Sequence, residues 1–133
     1  LEMAAMRTQV AQYYVDARGE MIPAVRWQKG CTDSYHARHL FVVQLPLDRL
    51  SGSRNDGVLA LRARNIGAAI HYAPLHRMPL YCGQSQPPAL PFTDAVTESA
   101  LTLPISAKMT LRDAAYVAGQ FMSILEGYTK TEV

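Results

Sequence analysis

No apolar run in this chain approaches the roughly 20 residues that a membrane-spanning helix requires. Nor does the N-terminus show a basic segment followed by an apolar one, so no signal peptide is expected. Cysteine is scarce: Cys31 and Cys82 are too few for the disulfide framework of a small secreted domain. One bridge between them is possible, but two reduced thiols in a cytoplasmic protein is the preferred reading. Charge of one sign is lacking too. A formal net charge of +2 gives no electrostatic reason to expect nucleic acid or an anionic membrane as partner. Internal repeats and low-complexity tracts are absent.

What remains is ordinary for a globular protein. Hydrophobic residues make up 49% of the chain and charged residues 18%, which argues against disorder. At 133 residues the size prior is one domain. A chain of this size buries roughly two-thirds of its unfolded surface, enough for its own core.

Met3, Met6, Val10, Tyr13 and Ala17 recur at spacings of three and four, which predicts a helix with one apolar face, stopped near Gly19. Residues 21–27 contain Pro23 and read as an edge strand or extended connector, with Trp27 covering an edge. Residues 28–34 read as loop. Residues 39–45 are dense in β-formers and stop at Pro46, so they predict a strand with both faces largely covered. A second helix is expected from Arg54 or Asn55 to Arg64, burying Val58, Leu61 and Leu59, with Gly57 weakening its first turn. Residues 68–72 predict a second strand, and the proline-rich residues 73–91 an irregular excursion. A short helix capped by Thr93 should precede a third strand at residues 101–103. Thr110-Leu-Arg-Asp113 has the form of a capping box and opens a last helix with the stripe Leu111, Ala114, Ala118, Phe121, Leu125, Tyr128. The expected class is α+β: a small, mostly antiparallel sheet of three or four short strands, with helices on one face, in the order α-β-α-β-α-β-α.

Four blocks carry a resemblance to a known family. Residues 7–18 read as a helix, residues 35–45 as a strand containing His-Leu-Phe-Val-Val, and residues 56–81 as a leucine-rich helix followed by Ile-Gly-Ala-Ala-Ile-His-Tyr-Ala-Pro-Leu-His. Residues 99–125 hold a Leu-Thr-Leu-Pro strand and a Thr-capped final helix. Together they resemble the C-terminal small domain of the DegT/DnrJ/EryC1/StrS sugar aminotransferases, across nearly the whole chain and in the family's order. The resemblance implies homodimers that depend on pyridoxal phosphate and move an amino group, commonly from glutamate, to a keto sugar on a nucleotide. It also implies a large cofactor-binding domain ahead of the small one, which 133 residues leave no room for. The lysine that forms a Schiff base with the cofactor belongs to that large domain. Lys29, Lys108 and Lys130 lack its context, so no catalytic or cofactor-binding residue is expected here, and the chain alone is expected not to transaminate.

The resemblance points to His71 and Tyr72 as substrate-facing, with His76 further along the loop. This chain departs from the family pattern at Ala68 or Ala69, where threonine is usual, and at Ala73, where proline is usual. Read without the resemblance, His71 is a strand-end histidine bonded to a carbonyl, and His76 is a surface loop residue. His36 and His39 together with His71 and His76 match no recognised zinc spacing and have no acidic companion, so no metal is expected. Two other readings stand beside the family one: a free-standing interaction or ligand-binding module of the same fold, and a small histidine-dependent metal hydrolase.

Overall fold

Alternating burial along Phe41–Gln44 organises the sheet. In this strand, β2, Phe41 and Val43 are buried while Val42 and Gln44 are half-buried. Side chains alternate across a strand, so one face meets the core and the other is only partly covered, short of the equal cover expected from sequence. The computed structural model describes residues 2–17, 24–30, 33–82 and 88–130. The expected stop at Gly19, the connector at Pro23, Cys31 and the chain end at residues 131–133 lie outside them.

β2 is the middle of three antiparallel strands. On one side is β1 (Arg26–Trp27), the edge strand, and on the other is β3 (Ala100–Leu103). The register pairs Phe41 with Leu103 and Val43 with Leu101, which puts four apolar side chains on one face. Val42 and Thr102 oppose each other on the second face.

Three helices cover the first face. α1 (Glu2–Ala17) packs on α5 (Leu111–Tyr128), and α2 (Arg54–Ala63) packs on both α5 and β3. The α1 stripe is rotated from the one its spacing suggested. Val10, Ala11 and Tyr14 are buried, whereas Met3 and Met6 are exposed and Tyr13 only borders the core. Tyr14 wins because its ring meets Phe41 at 5.0 Å and its hydroxyl donates to the Pro104 carbonyl at 2.8 Å. α2 buries Val58 and Leu61 as expected, but Leu59 faces solvent at 63% exposure. α5 buries Ala114, Val117, Ala118, Phe121, Ile124 and Leu125, while Leu111 at its start stays exposed.

α2 and α5 each start with a capping box. Thr110 and Asp113 close the first turn of α5, and Ser53 and Asp56 do the same for α2. Each box satisfies backbone N–H groups that a helix start leaves without partners.

The middle of the chain departs from expectation. Residues 68–72 form one bridge, Ala69 to Thr102, and no strand. The excursion that follows contains a 3-10 turn (Leu75–Arg77) and a single helical turn, α3 (Pro79–Cys82). α4 spans Pro91–Ser99 with Leu90 as its cap, three residues earlier than a Thr93 cap allows. Proline at the first helical position explains this: its φ is preset and its missing N–H would lack a helical partner anyway.

Candidate functional site

The site is built where the chain leaves β3's edge. Ala69 and Thr102 exchange both backbone hydrogen bonds, at 3.2 and 2.8 Å. The chain then turns out at Ile70, and the His71 imidazole folds back so that Nδ1 lies 2.8 Å from Thr102 Oγ1. Thr102 is only 4% exposed and is the buried polar residue among those described. Its hydroxyl donates to the Ala69 carbonyl at 3.1 Å. A hydroxyl has one proton, so with that proton on the carbonyl the His71 Nδ1–H is the donor to Thr102. Nε2 is then left with its lone pair, as a hydrogen-bond acceptor.

Tyr72 follows through a cis peptide bond, 72% exposed, with its ring edge-on to His71 at 4.8 Å and 87°. His71 and Tyr72 therefore form one unit, with a half-buried imidazole anchored in the sheet and a phenol offered to solvent.

His76 does not behave as the surface residue its loop suggested. Its imidazole is 8% exposed, and Nε2 sits 2.9 Å from Asp94 Oδ1 on α4. Arg77 reaches the same oxygen at 2.7 Å and Glu98 at 3.5 Å. The Cys82 thiol, a free cysteine, donates to the His76 carbonyl. The pairing spans 18 positions in sequence, so nothing local announced it. Thr102 was also missed, although a threonine between two leucines of an apolar strand is the kind of residue that needs a buried partner.

α4 has a second side. Phe92, Ala95, Val96 and Ser99 share one helical face, and that face borders an open cleft of about 900 Å³. Arg26, Lys29 and Arg49 line the cleft, with Asp48 as its acidic residue. α4 has no buried residue, and Phe92 is 87% exposed. The three lysines, Lys29, Lys108 and Lys130, are exposed. Among the described residues, no group of three or more His, Cys, Asp or Glu could hold a metal ion, and no helix is long and apolar enough to cross a membrane. The imidazole of His36 instead accepts from the Arg38 backbone N–H.

Comparison with known proteins finds relatives in sequence and in fold. Protein MJ1066 of Methanocaldococcus jannaschii is 33% identical over 93 residues, covering 68% of this chain and 24% of that protein. The fold is similar to that of the aminotransferase TlmJ from Streptoalloteichus hindustanus, with a TM-score of 0.81 and 20% identity over 95% of this chain and 32% of that one. It is also similar to Helicobacter pylori PseC, an aminotransferase involved in the biosynthesis of pseudoaminic acid, at a TM-score of 0.84 and 17% identity. S. venezuelae DesV, in complex with a ketimine intermediate, gives a TM-score of 0.80 at 23% identity. This chain spans about a third of the length of each solved structure. The sequence pattern of the DegT/DnrJ/EryC1/StrS aminotransferase family matches residues 1–122, and the chain belongs to that family.

Proposed function

We propose that this chain is the C-terminal small domain of a pyridoxal-phosphate-dependent aminotransferase acting on a nucleotide-linked keto sugar, with glutamate as amino donor. The observation that carries this reading is the family match over residues 1–122, joined to a fold that covers only a third of solved aminotransferases. In the complete enzyme a large domain supplies the cofactor site, two copies form a homodimer, and the location is cytoplasmic.

The residues present do not fit the cofactor. A Schiff-base lysine works when its amine is held out of water. Lys29, Lys108 and Lys130 are all exposed, and the Lys130 ammonium donates to the Asp48 carbonyl. This supports a chain that cannot transaminate alone. Its own contribution is a surface: His71 Nε2 to accept from a substrate hydroxyl, and Tyr72 beside it to pack or donate. His76 belongs to this surface through the loop it holds.

The uncovered apolar side chains favour a partnered domain over a free-standing module. Met3 and Met6 on α1, Leu111 and Tyr116 on α5, and Phe92 and Val96 on α4 are all exposed, in pairs along three helices that a packed partner would cover. Sequencing the DNA upstream of Leu1 tests the proposal. An in-frame cofactor-binding domain with a Schiff-base lysine is expected, and a stop codon or an unrelated reading frame contradicts it.

A further inference from the structure

Residues 69–82 return to one continuous stretch of chain, α4 followed directly by β3, at two separate places. The first is Thr102, gripped by the Ala69 backbone and the His71 imidazole. The second is Asp94, whose Oδ1 takes both His76 Nε2 at 2.9 Å and Arg77 at 2.7 Å. Between these anchors, among the described residues, the span is held by its own short turns and by the edge contact of the Tyr72 ring with His71. Tyr72 is 72% exposed and Leu75 is 60% exposed. Its short turns close locally, Arg77 N–H to Pro74 O and Met78 N–H to Leu75 O, both at 3.0 Å. Such turns are weak alone.

Charge on α4 adds to the second anchor. Asp94 and Glu98 lie four residues apart on one helical face, a spacing at which like charges repel. Arg77 sits against both, at 2.7 and 3.5 Å. Docking the turn therefore relieves the helix and fixes the span together. The contact between the largely buried His76 imidazole and the Asp94 carboxylate adds a hydrogen bond to an ionised acceptor, stronger than one between neutral groups.

We propose that Asp94 is a positioning residue: by holding His76 and Arg77 it clasps the far end of the strap that presents Tyr72, and without it the strap opens while the domain stays folded. The relevance to substrate rests on the reading of His71 and Tyr72 given above; the clasp itself does not, and it is tested on the chain without any ligand.

The experiment is amide hydrogen exchange on this chain, wild type against Asp94→Asn, with Arg77→Met as a second variant and Asp94→Glu as the conservative one. Loss of a charge-assisted anchor should speed exchange of amides at residues 77–82 by about tenfold in D94N. Amides in β2 and α5 should stay within about twofold of wild type, since sub-global opening leaves the core closed. R77M should give a smaller acceleration at the same amides, and D94E, which keeps the charge, should restore most of the protection. Nuclear Overhauser contacts between the His71 and Tyr72 rings should weaken in D94N. Exchange at residues 77–82 unchanged in both D94N and R77M overturns the proposal. So does a loss of protection spread evenly over the core in R77M, which would make the pair a general structural contact. Neither result bears on the upstream reading frame, so the clasp and the family function fail separately.

Discussion

Tyr14 gives the sharpest test of how this fold is held together. Its ring is 1% exposed against Phe41, and its hydroxyl crosses 90 positions of sequence to reach the Pro104 carbonyl just past β3. Tyr14→Phe keeps the ring and removes one hydrogen bond, which should cost about 1 kcal/mol. Tyr14→Ala also removes the ring and leaves a cavity, which should cost about 3–5 kcal/mol. The assay is urea unfolding followed by circular dichroism, with unchanged slopes as the check on two-state behaviour. pH separates the hydroxyl further. Burial, with the Asp113 carboxylate adding to it, pushes the Tyr14 phenol well above its ordinary value of 10.0. The folded state thus keeps a proton that the unfolded state releases above about pH 10. The tyrosine's contribution is fully present below that pH and is lost as pH rises through it, by about 1.4 kcal/mol per pH unit. The advantage of wild type over Y14F should therefore vanish near pH 11. Equal stability of wild type and Y14F at pH 8, or a gap that does not narrow above pH 10, would refute the reasoning.

Gly57→Ala should stabilise the chain by up to about 1 kcal/mol, because the helix gains propensity. The added methyl meets Leu45 Cδ1 at 3.5 Å and Leu101 Cδ2 at 3.9 Å, ordinary contacts, and a lower urea midpoint would show that the site is tighter than this. The capping boxes hold the Asp56 and Asp113 carboxyls below their ordinary value of 3.8, mainly through hydrogen bonds from Ser53 and Thr110. Depressed carboxylates stabilise the fold above 3.8, and that contribution is lost as pH falls below 3.8 towards the folded value, so Asp113→Ala should unfold with a flatter acid limb than wild type there. Nitrogen-15 spectra of the imidazoles at pH 8 should show His71 protonated on Nδ1, and an Nε2–H signal would mean that Thr102 is the donor instead.

Much of this fold is legible in the sequence because its signals are local. Thr110-x-x-Asp113 announces α5, and the apolar run before Pro46 announces β2. Ser53-x-x-Asp56 carries the same signal for α2. The misses are tertiary. Tyr13 and Tyr14 are adjacent on α1 and offer two rival stripes, and only Phe41 and Pro104, far along the chain, decide between them. Ala68 to Tyr72 has the composition of a strand, but Ala69 finds a partner only in Thr102 before the chain turns away towards Pro74, which has no N–H to donate. At the site, His71 and Tyr72 were visible as a pattern. Thr102 and Asp94, which hold the two ends of their loop, belong to elements that the eye reads as plain strand and plain helix.

On the function proposed above, these residues form a folded domain whose reaction centre lies elsewhere in the enzyme. Titrating the purified chain with pyridoxal phosphate, reducing with borohydride and locating any adduct by mass spectrometry tests it most directly. At most scattered, substoichiometric labelling of the exposed Lys29, Lys108 and Lys130 is expected, with no amino transfer from glutamate. One stoichiometric adduct at a single lysine, with turnover, would contradict it.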